Sequence, residues 1–145
     1  MSLYVIDAGV AVKWFIEEPD SGQAKKLLTN YLRWIDDLIA PDLIIAEAVN
    51  VFWKRTARGD LNVQEAHDSL TDLLSLNLQI ISSALLAARA LRLAQDHQRS
   101  VYDCLYLALA LQRGCGFVTS DERLYNAIRK TFPQLVLLRD LSLPQ

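Results

Sequence analysis

Histidine and cysteine are scarce in this 145-residue chain, with only two of each: His67, His97, Cys104 and Cys115. The histidines stand far apart and the cysteines lack metal-finger spacing, so a zinc site or a histidine-dependent serine triad has little to build on. The thiols fit buried or free cysteines in a reducing compartment. Long apolar runs are also missing; none approaches the ~20 residues that span a bilayer, so no membrane partner is expected. The chain enters its first apolar run directly, without a basic region and signal-type stretch, and the expected location is the cytoplasm. Nor is one sign of charge in excess. Fifteen Lys and Arg face 17 Asp and Glu, a net charge of −2, which gives no general pull towards nucleic acid and leaves any such binding to local clusters.

What is present suits a compact globule: 52% of residues are hydrophobic, and the length suffices for one domain over 1–145 with a sizeable core. Leu3 to Ile6 form an apolar run with two β-branched residues, reading as a short strand buried on both faces and stopping at Asp7. A short helix over 8–16 follows. Asp20 and Ser21 can cap a second helix reaching about residue 34, and Asp36 and Asp37 break its pattern. A strand over 38–40 halts at Pro41. Asp42 can cap a third helix over 43–58, closed by Gly59, and Asn62 a fourth over 63–76. A weak strand over 78–81 leads to Ser83, which can cap a long helix to about residue 97. Ser100 opens another over 101–113, closed by Gly114. A strand over 116–119, a helix over 121–131 and a strand over 135–138 complete the chain. Strands alternating with helices predict an α/β domain whose parallel sheet is covered on both sides.

Four acids stand out against this background. Glu47 and Asn50 are the only polar residues from Leu43 to Trp53 and lie three apart, on one helix face. A carboxylate buried there needs a partner, and a core Arg or Lys is the plain structural alternative. Asp103 is the only charge from Val101 to Leu111, yet with Ser100 it also has capping-box spacing. Asp121 follows a strand and starts a helix, and Thr119 with Glu122 likewise matches a capping box. Asp7 could be no more than a cap. Together the four say more. Asp7 and Asp121 fall at the carboxyl ends of parallel strands, which face one edge of the sheet. Asp103 and Glu47 sit on helices able to reach that edge. Four ionised carboxylates in a small region repel one another, and a divalent cation resolves the conflict. Oxygen ligands without histidine or cysteine select Mg²⁺ or Mn²⁺, ions suited to hydrolysing phosphodiesters.

The order Val5-Ile-Asp7-Ala, Glu47 with Asn50, Val101-Tyr-Asp103-Cys-Leu-Tyr-Leu-Ala-Leu-Ala, and Val118-Thr119-Ser-Asp121-Glu-Arg-Leu resembles the PIN-domain ribonucleases, and among them the VapC-type toxins of toxin–antitoxin pairs. The resemblance runs from Leu3 to about Leu138. It implies a three-layer α/β/α domain with a mainly parallel sheet of four to five short strands. It implies an Mg²⁺- or Mn²⁺-dependent endoribonuclease whose catalytic and metal-holding residues are Asp7, Glu47, Asp103 and Asp121, with Asn50 and Thr119 in support. A homodimer and a small antitoxin covering the catalytic groove are the implied partners. Where that family often carries a hydroxyl two positions after its first aspartate, this chain has Gly9. Candidate contacts to RNA phosphates are Lys13, Lys54, Arg55, Arg58 and Arg123, with Trp14 a candidate stacking surface. An ordinary solvated face is the alternative for each charge, and core packing for Trp14. Two other readings stand beside the nuclease: a receiver-like signalling domain gathering acids around Mg²⁺, and a catalytically degenerate PIN-like binding module.

Overall fold

A computed structural model describes residues 1–143; Pro144 and Gln145, the end of the expected domain, lie outside the described residues. Five strands form one sheet: β1 (Ser2–Ile6), β2 (Asp36–Pro41), β3 (Gln79–Ile81), β4 (Gly116–Thr119) and β5 (Leu135–Leu137), in the order β3-β2-β1-β4-β5. Every pairing is parallel. Seven α-helices fill the connections: α1 (Ala8–Val12) and α2 (Ser21–Leu32) before β2, α3 (Leu43–Arg58) and α4 (Val63–Ser75) before β3, α5 (Ser83–His97) and α6 (Val101–Arg113) before β4, and α7 (Glu122–Ile128) before β5.

The chain steps from β1 through β2 to β3 in one direction, then returns past β1 to lay down β4 and β5 on the other side. Right-handed crossovers send these two journeys to opposite faces of the sheet, giving three layers. Helix α6 packs on β1, β2 and β4 with α5 against it, while α2 and α3 pack on β2. That sandwiched position explains why Cys104 through Ala110 are all buried and why α6 reads as apolar around its whole circumference. The reversal of strand order between β1 and β4 opens a crevice at their carboxyl ends, the usual place for a ligand in an open parallel sheet. Among the described residues no helix is long and apolar enough to cross a membrane.

Most expected elements lie within a residue or two of their observed bounds, and four departures have physical causes. The helix expected over 8–16 ends at Val12; residues 13–15 continue as tighter turns with i→i−3 bonds, held where the Trp14 indole N–H donates to the Ala24 carbonyl at 2.9 Å. Asp20 does not cap α2 with its side chain, since its φ of 69° turns it away. Ser21 secures that corner instead, accepting from the Glu18 N–H and donating to the Ile16 carbonyl. Strand β2 begins at Asp36, earlier than expected, because the Asn30 amide donates to the buried Asp36 carboxylate at 3.1 Å and so satisfies a charge that would otherwise stop the strand. Asp42 likewise makes no side-chain cap on α3 and accepts from the Ser83 hydroxyl instead.

Candidate functional site

Strand β1 ends with Ile6 opposite Val118 of β4, so the next residue of each chain segment, Asp7 and Thr119, meets the other at the crevice. The buried Thr119 hydroxyl donates to Asp7 Oδ2 at 2.5 Å. Asp7 Oδ1 accepts the Val10 N–H at 3.0 Å, capping α1. Two residues past Thr119, Asp121 caps α7 through the Leu124 N–H at 3.1 Å, and its own N–H reaches Thr119 Oγ1. In α6, Ser100 Oγ accepts the Asp103 N–H at 3.1 Å, leaving the Asp103 carboxylate directed towards the same space. From α3 comes Glu47, whose Oε1 accepts the Tyr106 hydroxyl. A core Arg or Lys, the structural alternative for this acid, is not its hydrogen-bond partner. Tyr106 is itself locked by stacking on Phe117 at 5.8 Å between ring centroids. Capping and cleft-lining are thus not alternatives: Asp7 and Asp121 do both. The capping box expected between Thr119 and Glu122 is replaced by the Thr119–Asp7 bond.

Asp7, Ala8, Gly9, Glu47, Asp103, Tyr106, Ser120 and Asp121 line one cleft of about 200 Å³. Its acids perturb one another. Burial lifts the Asp7 carboxyl from an ordinary 3.8 to about 6, and the charges of Glu47 and Asp121 add to that, against the Thr119 and Val10 bonds. Burial also raises Glu47, with Asp103 contributing and the Tyr106 hydroxyl opposing. Asp103 is raised by burial and then by Asp121, eased by Ser100 and Arg99. The four carboxylates are therefore linked around the cleft by repulsion, and among the described residues no basic side chain lines it.

Oxygen-only chemistry of this kind fits a hard divalent cation such as Mg²⁺ or Mn²⁺. Among the described residues, no three His, Cys, Asp or Glu side chains stand grouped as they are oriented to hold an ion. Val10 and Thr119 each hold an oxygen of Asp7, Tyr106 one of Glu47 and Leu124 one of Asp121. Thiol chemistry is not offered. Burial pushes the Cys104 thiol up to about 11 and raises Cys115 as well, so both stay protonated at neutral pH.

The flanking residues divide. Asn50 is exposed beside Glu47, in a neighbouring hollow that Tyr102 shares. Lys54 and Arg123 are exposed, and among the described residues neither forms an ion pair. Lys13 is a correction: only 8% exposed, it faces inward and pairs with Glu18 at 3.5 Å. Arg55 binds Glu18 and Asp60, and Arg58 binds Asp60 at 2.6 Å, so both already have acidic partners within the fold, although Arg58 stays exposed. Trp14 is core. The exposed aromatic near the acids is Tyr102, at 62%. Sequence reading gave no role to Tyr102, Tyr106 or Ser120. Tyr106 stands three residues after Asp103 on one helix face, a usable signal, while Ser120 is one small polar residue between two more conspicuous ones. Replacing Tyr106 with Phe deletes a donor to a half-buried carboxylate and is expected to cost about 2 kcal/mol of stability; urea unfolding at pH 8 with no measurable loss would contradict that bond.

A larger, more apolar groove of about 270 Å³ runs between α3 and α4, lined by residues including Val49, Phe52, Trp53 and Val63, and holds no carboxylate. The four candidate acids stand together in the smaller cleft.

Comparison with known proteins agrees. The PIN domain family model matches residues 4–130. Ribonuclease VapC3 of Pyrobaculum aerophilum is 32% identical over 134 residues, covering 91% of this chain and 96% of that protein. A crystal structure from the same organism superposes with a TM-score of 0.71 at 22% identity, covering 95% of this chain and 85% of the other. A toxin–antitoxin complex from Klebsiella pneumoniae gives 0.65 at 17% identity over 97% and 100%, and VapBC2 from Rickettsia felis, bound to a promoter DNA fragment, 0.61 at 17% over 93% and 96%. At such identities the structures speak for the fold, which leaves the receiver-like alternative without support. With the family model spanning most of its length and a VapC protein matched nearly end to end, the chain belongs to the PIN-domain family, among its VapC members.

Proposed function

We propose that this chain is a divalent-metal-dependent endoribonuclease, the toxin of a VapBC-type toxin–antitoxin pair, working as a single domain. The carrying observation is the ring of Asp7, Glu47, Asp103 and Asp121 around the β1–β4 crevice, where burial and neighbouring charge raise the proton affinity of Asp7, Glu47 and Asp103 and, among the described residues, no cationic side chain lines the cleft. The identity to ribonuclease VapC3 supports the same reading. Asp7, Asp103 and Asp121 are the residues to hold Mg²⁺ or Mn²⁺, and Glu47 is placed to orient the attacking water. Such an ion, when bound, neutralises the acids, acidifies water and offsets charge on the phosphate. Thr119 and Val10 fix Asp7, and Tyr106 fixes Glu47, so each carboxylate meets the substrate already oriented. Because water attacks, and not a ribose 2′-hydroxyl, the products carry a 5′-phosphate and a 3′-hydroxyl. Lys54 and Arg123 are free to meet phosphates, with Asn50 in support. The exposed Tyr102 ring offers a stacking face for an unpaired base.

The test is cleavage of total RNA with Mg²⁺ and with EDTA, followed by end-group analysis. Fragments bearing a 5′-phosphate, formed only with the metal, support the reading; metal-independent fragments ending in a cyclic phosphate refute it. The proposed assembly is a homodimer bound by a small antitoxin protein, in keeping with the toxin–antitoxin complexes that share this fold. Exposed apolar residues such as Leu32, Trp34 and Trp53 provide surface for such contacts. Sedimentation at micromolar concentration is expected to return a dimer, and a monomer there overturns the homodimer.

A further inference from the structure

Gly9 sits in the first turn of α1 with a negative φ, so freedom of the backbone does not account for it. Space does. A Cβ built on Gly9 would stand 2.8 Å from Ser120 Oγ and 3.3 Å from Asp7 Oδ1. The first distance is closer than real Cβ atoms come to a neighbour, so the Ser120 hydroxyl holds its place only because residue 9 has no side chain. Ser120 belongs to the loop between β4 and α7, flanked by Thr119, which grips Asp7, and by Asp121. Gly9 and Ser120 both line the acidic cleft. No hydrogen bond among the described residues uses the Ser120 hydroxyl, although a serine hydroxyl can donate one and accept two. A donor and a carboxylate oxygen on either side of a missing methyl group are placed to share one small oxygen ligand.

We propose that Ser120 is a positioning residue whose hydroxyl, together with Asp7 Oδ1, orients the attacking water, and that Gly9 serves by leaving this water its room. The proposal rests on the nuclease reading above. In the step it serves, the water oxygen bonds to phosphorus and its proton passes to a cleft carboxylate. The bond from phosphorus to the 3′ oxygen breaks, and that oxygen takes up a proton from solvent. Ser120 keeps its own proton and forms no covalent bond.

Steady-state cleavage of a defined single-stranded RNA and melting with and without Mn²⁺ test the pair. Ser120→Ala is expected to lower kcat about tenfold with KM within about twofold, as for loss of a residue that orients a ligand. Ser120→Thr, which keeps the hydroxyl, is expected to recover most of that loss. Gly9→Ala should resemble Ser120→Ala, and Gly9→Ala/Ser120→Ala should be no slower than the slower single variant, because both changes disturb one water. The Mn²⁺-induced rise in melting temperature should survive in Ser120→Ala, since the serine is not a metal ligand. Full activity of Ser120→Ala, loss of its Mn²⁺ response, or additive losses in the double variant would each overturn the proposal. If the unaltered chain cleaves no RNA with either metal, the nuclease reading itself falls and takes this one with it, an outcome distinct from an active enzyme indifferent to Ser120.

Discussion

Asp7→Asn and Asp103→Asn are each expected to lower metal-dependent RNA cleavage by at least about 100-fold, the scale on which removing one preorganised electrostatic group acts, while leaving the fold in place. Asparagine matches aspartate in shape. At position 7 its carbonyl can still accept the Val10 N–H that caps α1, and its amide can donate to Thr119, whose hydroxyl then accepts instead of donating. At position 103 the cap on α6 runs from Ser100 Oγ to the backbone N–H and does not depend on the carboxylate. Charge is lost and geometry kept. Thr119→Val serves as the graded control: it keeps all four acids but removes the bond that orients Asp7 and the acceptor of the Asp121 N–H, so an intermediate loss of roughly 10–100-fold is expected. Circular dichroism and melting curves establish that each variant is folded, and cleavage rates then read the site. Full activity in either asparagine variant would remove that acid from the proposed machinery. The same outcome in both would overturn the acidic cleft as the site of cleavage, whereas an unaltered chain that cleaves no RNA with either metal would favour the degenerate binding module.

The second large effect concerns stability without metal. Asp7 holds its proton to about pH 6 in the folded chain against 3.8 in its ordinary state, so the folded form binds the proton more tightly than the unfolded form. Its contribution is therefore greatest below pH 4, falls as pH rises from about 4 to 6, and above 6 becomes a full penalty on the order of 3 kcal/mol. Glu47 and Asp103, raised by burial and by neighbouring charge, slope the same way. Asp42, held low by the Ser83 hydroxyl, slopes the other way, so the wild-type curve alone mixes both. Asp7→Asn separates them. In EDTA at pH 8 it is expected to melt on the order of 5–10 °C above the unaltered chain, a difference that disappears near pH 4. Mg²⁺ or Mn²⁺ at pH 8 should stabilise the unaltered chain by about 2.7 kcal/mol at 100 times the dissociation constant and Asp7→Asn by much less. Equal melting of the two proteins in EDTA at pH 8, or no response to either ion, would show that these carboxylates do not share a cation.

Local signals carried much of the fold because they are physically local. Ser100 and Gly114 bound α6 where a capping hydroxyl and a left-handed glycine are expected, and Asn62 with Glu65 forms a complete capping box on α4. The misread boundaries are those where a side chain finds a partner on the next element. Asp36 and Asp37 read as the end of the second helix's pattern, yet the Asn30 amide on α2 makes Asp36 tolerable inside β2, a contact that exists only once the strand folds back beside that helix.

For the acids the division is similar. Asp7, Glu47, Asp103 and Asp121 were conspicuous from sequence alone, because a charge in an apolar run or at a strand end needs a reason, and their order along the chain carried the family resemblance. Convergence was an inference from strand direction; the β1–β4 reversal brings the four to one cleft. Only tertiary structure could bury Lys13 and bring Arg55 to Glu18, 37 positions away, taking both from the free basic surface. Only it could give Glu47 a tyrosine partner from α6. Gly9 shows the difference most plainly. Its lack of a side chain is written in the sequence, but the space it leaves matters because Ser120, 111 positions later, projects a hydroxyl into it. A sequence lists which chemical groups a chain owns and which local shapes they favour. Which of them come within hydrogen-bonding distance, and which charges are already neutralised, depends on contacts between distant segments, and the folded packing decided that.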